Sequence, residues 1–124
     1  MKYLAKVASE SLDGSEESFS QIKLGITKYD TFVNDGHAVF FGNNDYQIQA
    51  EPKYSVLIVA DKSDQENFKN NLKIHQQGQT DYPTFCRHAA EAGVGKWTVD
   101  IINMTCTYYD KANHKMIEEK IPAV

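Results

Sequence analysis

The chain has 124 residues, of which 41% are hydrophobic and 24% charged, the balance of a globular domain rather than of a disordered chain. Its formal net charge is −4 and its lysines and arginines do not cluster, so a nucleic-acid-binding protein is not expected. The longest apolar run, YSVLIVA at 54–60, is far shorter than the roughly 20 residues that span a bilayer. Lys2 and Lys6 interrupt the apolar residues that a secretory signal would need. We therefore expect one cytoplasmic domain over residues 1–124, with no membrane or nucleic-acid partner and with reduced cysteines.

Two short helices are predicted before the first strand. The segment YLAKVASESLDG at 3–14 places small and apolar residues on one helical face and ends with a glycine. The segment SEESFSQIKL at 15–24 opens with a serine that suits a helix N-cap, and Gly25 follows it as a stop signal.

The next segment, residues 25–41, predicts a β-hairpin in which Asp35-Gly36 is a two-residue turn. In this register Val33 opposes Ala38, and opposed residues share one face of a sheet. A third short strand is expected at 46–51. The apolar face of the hairpin contains Tyr29, Thr31, Val33, Ala38 and Phe40, and its reverse face contains Asp30, Phe32, Asn34, His37, Val39 and Phe41.

The second half of the chain has the same order of elements. Residues 63–78 predict a helix that opens with a capping box from Ser63 to Glu66, and residues 80–92 predict a helix that ends at Gly93. A hairpin turning at Asn103-Met104 and a strand at 114–119 follow. The apolar face of this hairpin contains Trp97, Val99, Ile101, Cys106 and Tyr108, and its reverse face contains Thr98, Asp100, Ile102, Thr105, Thr107 and Tyr109.

Residues 25–48 align with residues 93–116 without a gap, and their hydrophobic patterns agree. This alignment predicts an internal repeat with halves at about 1–52 and 64–122 and a connector at about 53–63. Residues 55–60 of the connector are either a strand or an apolar crossing segment, and their β-branched content favours extended structure. We predict an α+β fold of two similar helix-helix-hairpin-strand halves, related by a pseudo-two-fold, with an antiparallel sheet packed by helices.

Candidate functional residues come mainly from the reverse face, which differs between the two halves. A carboxylate, an imidazole and a phenol there offer acid-base or ligand-binding groups, and a histidine at the end of a helix borders a polar loop. The alternatives are a solvated sheet face or a homodimer contact through aromatic residues. The ligand-binding candidates are Asp30, His37, His75, Asp100, Thr107 and Tyr109, and the interface candidates are Phe32, Val39 and Phe41.

No catalytic, metal-binding or phosphate-binding motif occurs in the sequence. The cysteines lack CxxC spacing and the histidines lack HxxxH spacing, so we predict no metal and no cofactor. Cys86 and His88 point about 200° apart on one helix and cannot act there as nucleophile and base. Cys106 falls on the apolar face and is expected to be a small buried residue.

Two parts of the sequence resemble a known family. The run HQQGQTDYPTFCRHAAEAGVGKWTVDIINMTCTYYD at 75–110 and the segment YDTFVNDGHAVFFG at 29–42 are similar to short uncharacterised bacterial proteins often labelled "phage envelope protein". The resemblance covers nearly the whole chain. It implies a phage association, but no activity, substrate or catalytic residue, because none is established for that family.

Two functional hypotheses follow from the sequence. The first is a non-enzymatic binding or interaction module for an unidentified protein or small molecule. The alternative is a small ligand-binding protein or enzyme whose pocket uses His37, His75, Asp100 and Tyr109.

Overall fold

The computed structural model describes residues 26–42 and 45–120. The two helices predicted at 3–14 and 15–24 lie outside these described residues. Six antiparallel strands form one sheet in the order β3-β2-β1-β4-β5-β6, and two helices connect β3 to β4, so the described part of the chain is α+β as predicted. The elements are β1 (Ile26–Phe32), β2 (Ala38–Gly42), β3 (Gln47–Ala50), α1 (Gln65–Gln76), α2 (Tyr82–Glu91), β4 (Val94–Asp100), β5 (Thr105–Asp110) and β6 (Lys115–Lys120).

Both helices begin at an aspartate whose side chain caps the first turn. The carboxylate of Asp64 accepts a hydrogen bond from the backbone N–H of Asn67 at 3.0 Å, so the cap of α1 is one residue beyond the predicted Ser63. The carboxylate of Asp81 caps α2 in the same way and accepts from the backbone N–H of Thr84 at 2.9 Å. An acceptor at this position pairs a backbone amide that the helix itself leaves free.

The core lies between the helices and one face of the sheet. Phe68 of α1 packs against Phe85 of α2 and Tyr108 of β5, with ring centroids 5.9 and 4.9 Å apart. Trp97 lies 5.8 Å from both Phe85 and Tyr108 and is fully buried. The predicted apolar face of the first hairpin is buried as expected, with exposures of 3% or less for Tyr29, Thr31, Val33, Ala38 and Phe40.

The hairpin loops are wider than the two-residue turns that the sequence predicts. Tyr29 opposes Phe40 and Val99 opposes Cys106, so both registers differ by two residues from the prediction. In the first loop Gly36, in a left-handed conformation with φ 75°, donates its N–H to the carbonyl of Phe32 at 2.8 Å. Met104 occupies the left-handed position of the second loop with φ 54°. Because side chains alternate with a period of two, a displacement of two residues leaves the predicted faces unchanged.

The two hairpins join through the antiparallel pairing of β1 with β4. Asp30 lies opposite Thr98, at the centre of five paired positions. Lys28 opposes Asp100 at one end of this pairing, and Phe32 opposes Lys96 at the other. The reverse faces of the two hairpins therefore form one continuous surface.

The connector between β3 and α1 contains no strand at residues 55–60. It is attached to the fold by single hydrogen bonds, such as those from the N–H of Leu57 to the carbonyl of Asn34 at 2.6 Å and from the N–H of Ala60 to the carbonyl of Ala90 at 2.9 Å. Val56 and Ile58 are 74% and 90% exposed, whereas Val59 is buried. The sequence leaves open whether residues 55–60 are a strand or an apolar crossing segment. In the structure they are a crossing segment.

Gly93, between α2 and β4, provides a test of the helix-to-strand connection. Its φ is +84°, and an added Cβ would lie 2.7 Å from the carbonyl oxygen of Lys62 and 2.8 Å from the Cα of Ser63. We expect Gly93→Ala to lower the free energy of unfolding by roughly 2–4 kcal/mol, because backbone strain and a collision with rigid backbone add together. Urea denaturation measures this loss.

Gly78 supplies the matched control. Its φ is +81°, but an added Cβ would meet nothing within 4 Å. Gly78→Ala should therefore cost only the strain of a left-handed alanine, about 1 kcal/mol. Equal losses in the two variants would contradict the assigned collision at Gly93.

Candidate functional site

The face of the sheet opposite to α1 and α2, here called the outer face, contains most of the predicted site residues. Its residues lie in rows that cross the strands, and each row brings side chains from β1, β4 and β5 side by side. The outer face contains Lys28, Asp30, Phe32, Val39, Phe41, Lys96, Thr98, Asp100, Thr105, Thr107, Tyr109 and Glu118.

Asp30 lies at the centre of the outer face and is only 9% exposed. The hydroxyl of Thr98 donates to one carboxylate oxygen at 2.6 Å, and the ammonium of Lys96 lies 3.4 Å from the other. A buried carboxylate needs such partners. Asp30 therefore holds β1 to β4 and separates the two ends of the outer face.

Two lysines lie over aromatic rings of the neighbouring strands. The Lys28 ammonium is 5.2 Å from the centroid of the Phe41 ring. The Lys96 ammonium is 5.4 Å from the centroid of Tyr109 and 5.9 Å from that of Phe32. These are cation-π distances. The interface candidates Phe32 and Phe41 are thus in contact with positive charges. The third interface candidate, Val39, is only 7% exposed. The homodimer stays a prediction.

One cavity lies at the end of the outer face that contains Phe32, and we call it the His37 cavity. Its volume is about 420 Å³. The rings of Phe32 and His37 are stacked with centroids 4.4 Å apart and planes at 4°, and residues 56–59 of the connector also line the cavity. The lining residues are Phe32, Asn34, His37, Val56, Leu57, Ile58, Val59, Gly95, Lys96, Asp110, Lys111 and Asn113.

Asp35 fixes the orientation of His37. One oxygen of its carboxylate lies 2.5 Å from Nδ1 of His37 and also accepts the His37 backbone N–H at 2.9 Å. Partial burial raises the pKa of Asp35, but the bonds from the backbone and ring of His37 outweigh it, so the pKa lies below its usual range. An ionised carboxylate has no proton to give, so Nδ1 of His37 is the donor in this bond. The sequence interpretation missed Asp35 because it was assigned to the turn.

A second cavity, which we call the Asp100 cavity, lies at the other end of the outer face. Its volume is about 370 Å³. It brings together three of the predicted residues, Asp100, Thr107 and Tyr109, with Lys28, which the sequence interpretation did not select. The complete lining is Lys28, Thr98, Asp100, Asn103, Thr105, Thr107, Tyr109 and Glu118.

His75 lies on the helical side of the sheet, away from both cavities. It is fully buried, its ring is stacked on Phe85 with centroids 4.5 Å apart, and its Nδ1 lies 3.0 Å from both the carbonyl oxygen and the hydroxyl of Thr80. The structure therefore does not bring His75 together with His37, Asp100 and Tyr109.

The two cysteines are buried in the core, as expected for Cys106. Cys86 is 0% and Cys106 is 1% exposed. Burial raises the pKa of the Cys106 thiol to about 12, so it remains protonated at neutral pH. Within residues 26–42 and 45–120, no three His, Cys, Asp or Glu side chains group as metal ligands.

A third cavity, of about 470 Å³, lies between α1 and β6. Glu119 is part of its lining and accepts a hydrogen bond from the side-chain amide of Gln76 at 3.0 Å. Burial raises the pKa of Glu119 and this bond lowers it less, so the pKa is above its usual value. None of the predicted site residues lines this cavity.

Comparison with known proteins gives a family but no activity. Residues 11–120 match the model of a family described as a protein of unknown function, DUF1398, so the chain belongs to this family. No curated protein matches the chain. In the described part of the chain no helix combines the length and the apolar character that crossing a membrane requires. The phage association stays a prediction.

The bond between Asp35 and His37 can be tested by its pH dependence. We expect Asp35→Asn to lower the free energy of unfolding at neutral pH by roughly 1 kcal/mol, the contribution of an ordinary hydrogen bond. The pKa of Asp35 is lower in the folded chain, so its stabilising effect is complete above the ordinary value of 3.8 and declines as the pH falls through the folded-state pKa. Urea denaturation of both proteins at neutral pH and below pH 3.8 measures the difference.

Asp61→Asn is the control for this experiment. Asp61 bonds Lys111 at 2.7 Å, but its side chain is 93% exposed, and water and salt screen such a pair. We expect this variant to be as stable as the wild type. A loss in Asp35→Asn that is the same at both pH values would contradict the role given to the carboxylate.

Proposed function

We propose that the protein is a non-enzymatic binding protein for a small planar molecule that carries a negative charge, and that the His37 cavity is its site. The observation that carries this proposal is the stacked pair of Phe32 and His37 in a largely apolar cavity of about 420 Å³. Ligand pockets typically enclose about 300–1,000 Å³ and combine apolar walls with a few placed polar groups. A flat aromatic surface selects a flat ligand, which can stack on it.

Two amines line the cavity and favour an anion, and each also lies near a carboxylate outside the lining, Lys96 at 3.4 Å from Asp30 and Lys111 at 2.7 Å from Asp61. Lys96 and Lys111 are among its lining residues, and Asp110 is the carboxylate among them. The carboxylate of Asp110 accepts the backbone N–H groups of Ala112 and His114 at 2.9 and 2.8 Å, which compensates its charge locally. Lys96 is 25% exposed and lies against the Phe32 ring. The ammonium can therefore meet an anionic group of a ligand that stacks on the ring.

The same lining supports binding rather than catalysis. It includes an imidazole and two amines, but no serine, threonine, tyrosine or cysteine among the described residues. A histidine that acts as a general base normally activates a nearby hydroxyl, thiol or water. We assign His37 instead to stacking.

We also propose that the chain is an internal repeat whose halves are related by a pseudo-two-fold. The supporting observation is the register of the two hairpins. When 68 is added to the residue numbers of each pair between β1 and β2, the result is a pair between β4 and β5. The irregularity in pairing near the first residues of β1 recurs at the same place in β4. The pairing of β1 with β4 is consistent with an axis at Asp30 and Thr98. The boundaries at 1–52 and 64–122, a protein partner and a cytoplasmic location stay predictions.

The proposed binding can be tested with a ligand panel and two lysine variants. We expect planar carboxylates such as benzoate, nicotinate and indole-3-carboxylate to raise the melting temperature, because a ligand that binds the native state stabilises it. Cyclohexanecarboxylate and benzylamine should have less effect, since one is not planar and the other has the opposite charge. For a planar carboxylate that binds, Lys96→Met should weaken affinity about tenfold or more through loss of a charge-assisted contact. Isothermal titration calorimetry measures the affinity.

Lys28→Met is the matched control. Lys28 lies over the ring of Phe41 in β2, as Lys96 lies over the ring of Tyr109 in β5, but Lys28 does not line the His37 cavity. The affinity of the Lys28→Met variant for planar carboxylates should equal that of the wild type. Phe32→Leu keeps an apolar side chain and should remove the preference for planar over non-planar acids. The absence of stabilisation by every planar acid, or equal losses in the two lysine variants, would overturn the proposal.

A further inference from the structure

We propose that the outer face carries a second binding site, in the Asp100 cavity, for a small neutral polyhydroxylated ligand such as a monosaccharide. This site shares neither Phe32 nor His37 with the first, and Lys28 takes the place that Lys96 has there. The two sites lie at opposite ends of the pairing between β1 and β4.

The lining of this cavity offers hydrogen-bond donors and acceptors side by side. The hydroxyl of Thr98 donates to Asp30 at 2.6 Å and that of Thr107 donates to Glu118 at 3.2 Å, so lone pairs of both hydroxyl oxygens remain to accept from a ligand. Thr105 adds a third hydroxyl to the lining. A sugar hydroxyl is both donor and acceptor, and it can pair with such a surface in either direction.

Asp100 is held in place before a ligand arrives. Its two carboxylate oxygens accept the backbone N–H and the side-chain amide of Asn103, each at 2.9 Å. The backbone bond from Asn103 lowers the pKa of Asp100 more than burial raises it, so the side chain is an ionised acceptor at neutral pH. A fixed acceptor loses less conformational entropy on binding than a mobile one.

The balance of charge disfavours an anionic ligand. Lys28 is a cation, whereas Asp100 and Glu118 are carboxylates, and all three line one small cavity. An anion would meet two like charges. A neutral ligand with several hydroxyls avoids this repulsion and can hydrogen-bond all three side chains.

The spacing of the polar groups fits a sugar ring. Thr98, Thr107 and Glu118 lie opposite one another on β4, β5 and β6, and adjacent strands are about 4.8 Å apart. This is comparable to the separation of alternate hydroxyls on a pyranose. The ring of Tyr109 borders the same cavity and supplies an apolar surface for the carbon-bound hydrogens of the sugar.

Corresponding positions of the two hairpins show how the two cavities differ. Residues 68 apart in sequence occupy the same places in the β1-β2 and β4-β5 hairpins. Lys28 and Lys96 are one such pair, so this position is a lysine in both hairpins. Aromatic and apolar residues of the first hairpin are replaced by hydrogen-bonding residues in the second. The replacements are Phe32 by Asp100, His37 by Thr105 and Val39 by Thr107.

Saturation-transfer NMR with methyl glycosides of glucose, galactose, mannose and N-acetylglucosamine tests the inference. We expect at least one of them to receive saturation from the wild-type protein, and acetate and methylamine to receive none. Thr105→Val replaces one hydroxyl by a methyl group and favours a strand, so the variant should fold. It should weaken the affinity of the bound glycoside by about tenfold or more, because a polar group of the ligand loses its partner.

Asp100→Asn should weaken the glycoside similarly, because a neutral amide accepts a less strong hydrogen bond than a carboxylate. Asp61→Asn, at a side chain that is 93% exposed and outside this cavity, should leave glycoside affinity unchanged, and circular dichroism of all three variants confirms that they fold. Glycoside binding lost in Thr105→Val and Asp100→Asn but kept in Asp61→Asn supports the inference. No transfer to any glycoside, unchanged affinity in Thr105→Val, or stronger binding of acetate or methylamine overturns it and leaves the first site unaffected.

Discussion

The pairing of β1 with β4 is the interaction on which the rest of the described structure depends. It joins two hairpins into one sheet, and its register places Tyr29 and Trp97 on the helical side and the two lysines on the outer face. A slip of one residue would exchange the two faces of one hairpin and bury charged side chains among aromatic rings. The carboxylate of Asp30 reinforces this register, because its bond to Thr98 crosses the same pair of strands. The lining residues of both cavities are therefore brought together by the pairing of β1 with β4.

The types of element and the faces of the strands could be predicted because they depend on local periodicity. Alternation along each strand assigns the inner face correctly even where the turn was assigned wrongly, since the observed registers differ by an even number of residues. The loop after β1 could not be predicted from its Asp-Gly pair. The carbonyls of Asn34 and Asp35 accept N–H groups from Leu57 and from Lys53 and Tyr54, and these partners are distant in sequence.

The candidate site could be predicted in part, for a similar reason. The predicted reverse face includes His37, Asp100, Thr107 and Tyr109, which line two separate cavities instead of one pocket. Lys28 and Lys96 were missed because a lysine in a strand is usually a solvated charge, although their matching positions 68 residues apart were a usable signal. The place of His75 depends on stacking against Phe85 in another helix, and no local pattern encodes that contact.

The burial of both cysteines has a practical consequence for chemical labelling. The chain contains two cysteines, and at 0% and 1% exposure neither Cys86 nor Cys106 presents its sulfur to a maleimide or iodoacetamide in solution. A cysteine introduced at an exposed position such as Ile58 or Ile102 would be the one reactive thiol of the folded protein. A spin label or fluorophore can thus be attached without removing the native thiols, and the slow reaction of these thiols would report opening of the core.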